Sequence, residues 1–161
     1  MEERYKRITY KECIKLLNEC GKQWEFSPEY GEDIAKEHER YLTEYFDCPI
    51  FITMWPKKLK SFYMKQLDDG TVAAADLELP GIGETFGMSQ REESYEKLLD
   101  RMKELGMKVE EYEWYLNLRR YGTCTRSGFG VGFERLLMYI TGMENIRDVI
   151  PYPRTERNCK Y

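Results

Sequence analysis

Residues 71–89 read Thr71-Val72-Ala73-Ala74-Ala75-Asp76-Leu77-Glu78-Leu79-Pro80-Gly81-Ile82-Gly83-Glu84-Thr85-Phe86-Gly87-Met88-Ser89. Thr71 to Leu79 predicts a strand, Pro80-Gly81 a turn, and Ile82 to Met88 a strand running back. Upstream, Pro49 to Trp55 is a β-rich run closed by Pro56. Ser61 to Gln66 is another such run, and Asp68-Asp69-Gly70 is a hairpin-type turn. Strands joined this closely make an antiparallel meander. Both flanks read as helical. Thr9 and Glu12 form a capping box ahead of the stripe Cys13, Leu16, Leu17 and Cys20, which Gly21 ends. Residues 22–30 read as loop, and 31–46 carry a second stripe, Ile34, His38, Tyr41, Leu42 and Tyr45. Leu98, Leu99, Met102 and Leu105 form a third stripe, ended by Gly106. Residues 109–120 fit either one helix or an aromatic-rich turn, and part of 121–130 adds a strand. A last helix runs from about Val131 to Gly142. The expected class is α+β, an antiparallel sheet flanked by helices.

The chain has 161 residues, enough for one domain, with 25 Lys+Arg against 29 Asp+Glu and a net charge of -4. That balance gives no support for a large nucleic-acid footprint. No apolar run approaches a membrane span and no signal-peptide core follows the N-terminus, so the expectation is a cytoplasmic chain without membrane contact. The five cysteines (Cys13, Cys20, Cys48, Cys124 and Cys159) are odd in number and contain no C-x-x-C. They read as reduced, buried thiols. His38, the one histidine, reads as a half-buried helix residue. The chemistry is therefore expected to run on Asp, Glu, Arg and Lys.

Three places can carry it. Asp76 and Glu84 lie on either side of the Pro80-Gly81 turn. If they share a face, two carboxylates sit side by side, an arrangement suited to a Mg²⁺ that carries phosphates. A one-residue change of register would instead turn one of them to solvent. In Gly83 to Glu92, Arg91 can clamp a carboxylate or donate to an amide carbonyl, or else pair on the surface with Glu92 or Glu93. In Ser127 to Arg135, alternate glycines allow close approach of a ligand or of the following helix. Arg135 in the first turn can meet a phosphate or a purine face.

In this order the motifs resemble the catalytic domain of class II aminoacyl-tRNA synthetases, aspartyl/asparaginyl subgroup, nearest the C-terminal part of the asparaginyl branch. The residues that carry the resemblance are Glu37 to Glu44, Lys60 to Met64, Asp76 to Pro80 and Gly83-Glu84. Ser89 to Glu92, Trp114 to Gly122, Ser127 to Arg135 and Asn145 to Pro151 extend it. It implies a partial catalytic domain over 1–161 with motif 3 at 127–135, and with motifs 1 and 2 and the anticodon-binding domain absent. It implies ATP-dependent activation of asparagine or aspartate to an aminoacyl-adenylate and transfer to tRNA. A shortened relative that serves a non-tRNA acceptor, or a non-catalytic module on the same scaffold, are the alternatives. ATP and Mg²⁺ are implied, with tRNA and a second chain supplying motifs 1 and 2 as further partners. The implied roles are Asp76 and Glu84 for the metal; Asp76, Glu84, Gly130, Gly132 and Arg135 for ATP; Ser89, Arg91 and Gly128 for the amino acid. Arg135 and Glu84 are the implied catalytic residues. Two departures stand out: Thr125-Arg126 replaces the family's Pro-His, and Gly87-Met88-Ser89 its Gly-Gly-Ser.

Overall fold

The computed structural model describes residues 4–159. Five strands form one sheet in the order β1-β2-β3-β4-β5. They are β1 (Lys6–Thr9), β2 (Ile50–Pro56), β3 (Thr71–Leu79), β4 (Gly83–Gln90) and β5 (Ser127–Val131). The helices are α1 (Tyr10–Glu19), α2 (Lys36–Phe46), α3 (Tyr95–Glu104), α4 (Glu113–Arg120) and α5 (Phe133–Thr141). Strands β2 to β5 pair antiparallel, as the meander requires. The α+β class holds with one addition: β1 pairs parallel to β2. Four residues are too few to show a period, so β1 has no signal of its own in the sequence.

The Thr9 box forms as expected, with Thr9 Oγ1 accepting from Glu12 N and the Glu12 carboxylate accepting from Thr9 N. Helix α2 starts at Lys36, not at 31. The Tyr10 hydroxyl accepts from Gly31 N, Gly31 sits at φ +93, and Ala35 is extended, so the segment before Lys36 cannot coil. Ser61 to Gln66 is not a regular strand. It makes isolated bridges, Met64 to Arg91 and Gln66 to Val72, because it crosses the ends of β4 and β3 in turn. Residues 109–120 divide between the two readings: a 3₁₀ turn at Val109–Tyr112, then α4.

Helices α1 and α2 cover one face of the sheet. Tyr10, Cys13, Leu17 and Leu42 pack there on Ile50, Ile52, Val72 and Ala74. A second cluster, Leu98, Met102 and Leu116, joins α3 to α4. His38 is fully buried, not half-buried. Its Nδ1 accepts from Ala35 N, Nε2–H donates to Phe26 O, and Trp24 meets the ring edge-on. Both nitrogens are used, so the residue is structural. All five cysteines are free, but only Cys13 is buried: Cys20 and Cys48 are partly covered and Cys124 and Cys159 exposed, contrary to the expectation of burial. Cys124 and Cys159 lie outside regular helix and strand, so no packed face of an element covers them.

Candidate active site

The site lies on the helix-covered face, beyond the edge of the apolar core. Direct cross-strand partners share a face of a sheet. Asp76 pairs with Gly87 on β4, and Gly87 with Gly130 on β5; Ala74 pairs with Ser89, and Ser89 with Gly128. These positions form a floor in which three of the residues have no side chain.

Plain alternation would turn Glu84 to the opposite face, with Phe86 and Met88. A bulge between Leu77 and Glu78 prevents this. Leu77 pairs with Phe86 but Glu78 with Glu84, so Thr85 is the extra residue. The carboxylate of Glu84 is thereby aimed at the Asp76 side. A Cβ built on Gly87 would meet Glu84 Oε1 at 3.3 Å and Asp76 Oδ1 at 3.6 Å. Both carboxylates thus overhang one glycine.

Lys60, behind β2, forms a short ion pair with Asp76 and lies 3.8 Å over the Trp55 ring. Burial pushes the Asp76 carboxyl up, and Lys60 partly offsets this. The Glu84 carboxyl is also raised, first by burial and then by the Asp76 charge. Two further acids stand beside them. Glu78 is 2% exposed, and its Oε2 is buried with no hydrogen-bond partner among the described residues. Burial, then Glu39, Glu84 and Asp76, pushes it up to about 9. Glu39 of α2 packs against Gly83, where any Cβ would collide with its carboxylate. It too is raised by burial, while a hydrogen bond from the Glu84 amide opposes the shift.

At the other end of the floor stands Arg91. Its Nη1 donates to Ser89 Oγ at 2.5 Å, and its guanidinium lies 4.7 Å from the Tyr63 ring centre. A Cβ on Gly128 would sit 2.7 Å from Arg91 Nη2, so glycine there makes room for the guanidinium. The surface pairing with Glu92 or Glu93 does not form. Glu93 takes Lys65, Gln90 and Thr125 instead, and Glu92 accepts from the amides of Gln66, Glu93 and Ser94. Above Gly130 there is open space. Gly132 N donates to Thr85 O, which ties α5 to the bulge. From the first turn of α5, Arg135 donates to the Glu84 carbonyl. With Glu39, Arg40 and Glu84 it lines a cleft of about 1050 Å³. The structure therefore gathers Asp76, Glu84, Ser89, Arg91, Gly128, Gly130, Gly132 and Arg135 along one stretch of sheet. Lys60 and Tyr63 carry no role in the sequence reading; only their place in Lys60 to Met64 marks them.

The family of class II tRNA synthetases for D, K and N matches residues 1–156. The chain belongs to this family. As a class II synthetase chain it is 59% identical over 157 residues to the asparagine--tRNA ligase of Bacillus cytotoxicus, covering 96% of itself and 34% of that protein. It is 55% identical over 159 residues to the enzyme of Clostridium botulinum, again covering 34% of it. The class II chain thus spans about a third of the length of these relatives. Among solved structures, Entamoeba histolytica asparaginyl-tRNA synthetase in complex with asparaginyl-adenylate superposes with a TM-score of 0.91 at 39% identity. The match covers 99% of this chain and 37% of that one. The Pyrococcus horikoshii asparaginyl-tRNA synthetase complexed with asparaginyl-adenylate gives 0.88 at 43% identity, over 98% and 36%.

Proposed function

We propose that the chain is part of an asparagine-activating class II catalytic domain, with motif 3 at 127–135, and that it supplies one side of an adenylate-forming site. The observation that carries this reading is a floor of Gly87, Gly130 and Gly128, open above Gly130, with two carboxylates over Gly87 at one end and the Arg91 guanidinium over Gly128 at the other. A flat, phosphate-linked ligand fits such a floor, and asparaginyl-adenylate is what two of the similar structures hold. Arg91 and Ser89 hold the amino-acid side chain, and Arg135 the nucleotide. The chain acts by positioning and charge, with no covalent intermediate on the protein.

Mg²⁺ fits the donor set at Asp76 and Glu84: hard carboxylate oxygens from two strands converge over one glycine. Among the described residues no group of three His, Cys, Asp or Glu side chains is arranged to hold a metal ion. The pair accordingly suits a cation that arrives with phosphate and water ligands. When bound, Mg²⁺ would neutralise phosphate charge beside these acids. Transfer to tRNA belongs to the same reading, as does a second polypeptide supplying motifs 1 and 2. No helix of the described residues is long and apolar enough to cross a membrane.

Titration calorimetry with Mg²⁺-ATP tests the proposal. The isolated chain should bind weakly and should not charge tRNA, because the contacts of the other side are missing. Glu84→Gln should weaken binding further, by about tenfold or more, the equivalent of one charge-assisted contact. Mg²⁺-ATP affinity that is the same in Glu84→Gln would refute it.

A further inference from the structure

Lys60 holds neither ATP nor asparagine in the proposed site, yet its ammonium reaches the acids there. It follows the 3₁₀ turn Lys57–Leu59 with an extended backbone. The Lys60 and Asp76 side chains are 16% and 7% exposed, so the ion pair between them is largely withdrawn from water. Lys60 Nζ lies 3.8 Å from the centre of the Trp55 ring. That ring is buried and anchored, since Trp55 Nε1–H donates to Ile52 O at 3.0 Å. The ammonium is thus seated on a fixed aromatic face. Ordering a long side chain this way costs conformational entropy, which the pairing with a desolvated carboxylate offsets.

The pair divides the Asp76 carboxylate between two neighbours. Oδ2 accepts from Lys60 Nζ. Oδ1 stands over Gly87 beside Glu84 Oε1: a Cβ there would meet them at 3.6 and 3.3 Å. One oxygen is therefore held by the ammonium, and the other is turned to Glu84 and the glycine floor. This division matters for a cation. Ca²⁺ readily takes both oxygens of a carboxylate in a flexible shell, whereas Mg²⁺ demands near-octahedral geometry and keeps waters and phosphate oxygens beside a few carboxylates. Holding Oδ2 back costs Ca²⁺ a ligand and costs Mg²⁺ none. The positive charge of Lys60 repels both ions alike, and it opposes the rise of the Asp76, Glu84 and Glu78 carboxyls whichever ion is present. What it changes between the two ions is the number of oxygens on offer.

We infer that Lys60 is a positioning residue that sets the metal preference of the site: by holding Asp76 Oδ2 it presents Oδ1 alone, and so favours a Mg²⁺-nucleotide over a Ca²⁺-nucleotide. The inference rests on the metal role proposed above for Asp76 and Glu84, and adds to it a residue that acts only through Asp76.

Calorimetric titration of the full chain with Mg²⁺-ATP and with Ca²⁺-ATP reads the preference as a ratio of two affinities. The parent should prefer Mg²⁺-ATP. Lys60→Met keeps an apolar stem on Trp55 and removes the ammonium. Its ratio should fall by roughly tenfold or more, the equivalent of one added charge-assisted contact for Ca²⁺. Lys60→Arg, which still donates to Asp76, should keep most of the parent's ratio. A lysine that served the fold alone would change both affinities together and leave the ratio where it was. Should Lys60→Met fail to fold, Lys60→Gln, one atom shorter and uncharged, takes its place with the same expected fall. A parent without preference for Mg²⁺-ATP, an unchanged ratio in the folded loss variant, or a ratio in Lys60→Arg no nearer the parent's would overturn the inference. Glu84→Gln separates it from the reading on which it rests. If Glu84→Gln leaves Mg²⁺-ATP affinity unchanged, the metal assignment falls and the role of Lys60 with it. A loss in Glu84→Gln beside an unchanged ratio in Lys60→Met removes the role of Lys60 alone.

Discussion

Replacing Glu78 by leucine should stabilise the fold, and by more as the pH rises. Burial first, then the charges of Glu39, Glu84 and Asp76, push the Glu78 carboxyl from 4.5 up to about 9. In the unfolded chain it loses its proton near 4.5; in the folded chain it keeps the proton until about 9. The folded state therefore binds more protons across this window, and its stability falls as the pH rises through it. Below the window Glu78 carries no such penalty, and above it the loss is complete. At about 1.4 kcal/mol per pH unit, the loss at pH 7 is on the order of 3 kcal/mol. Leucine removes both the titration and the orphaned Oε2 while filling a similar volume. Urea unfolding of parent and Glu78→Leu at several pH values reads the difference directly. The gap should be small at pH 5 and widen steadily towards pH 9; a constant gap would show that Glu78 is ionised in the fold.

How far the sequence shows this arrangement depends on the length scale of each signal. The hairpin around Pro80-Gly81 is legible because alternation and turn chemistry are local, and β3 and β4 form there. The capping box at Thr9 is equally local, and it forms. Two elements escape. Strand β1 is four residues long and defined by a parallel partner more than 40 positions away. Ser61 to Gln66 has strand composition, but its amides are taken singly by two strands. Composition reports the preference of a segment and not how many consecutive partners it finds.

The candidate site is legible as a set of residue types more than as a geometry. Glu84 faces Asp76 only because Thr85 bulges, and no residue type marks that bulge; simple alternation puts Glu84 on the wrong face. Gly128 is readable as a glycine but not as the space beneath Arg91, since the two are 37 positions apart. The acids around Asp76 could not be ranked from sequence either. Glu37 accepts from the amides of Glu25 and Phe26, Glu39 packs on Gly83, and Glu78 is buried opposite Glu84. Glu37 is thus engaged away from Asp76, while Glu39 and Glu78 stand beside it.

Arg91→Ala should weaken amino-acid binding roughly ten- to hundredfold while leaving the fold intact. The guanidinium stacks on Tyr63, donates to Ser89 and covers Gly128, and its planar fork is held at the end of the floor. A guanidinium only donates, so it can hold the side-chain carbonyl of asparagine or the carboxylate of aspartate. Losing that contact removes about 1.5–3 kcal/mol, roughly a ten- to hundredfold loss of affinity. The vacated space above Gly128 also fills with water, which offers no fixed direction. Arg91→Lys should recover little, because an ammonium has neither the fork nor the flat surface that rests on Tyr63. Tyr63→Leu separates the two contributions: it keeps the charge, removes the stacking surface, and should weaken binding less than Arg91→Ala does. Calorimetric titration of asparagine into the chain, with and without Mg²⁺-ATP, gives the comparison. Equal asparagine affinity in parent and Arg91→Ala would take Arg91 out of the site. Full recovery in Arg91→Lys would show that charge alone, and not the planar fork over Gly128, holds the side chain.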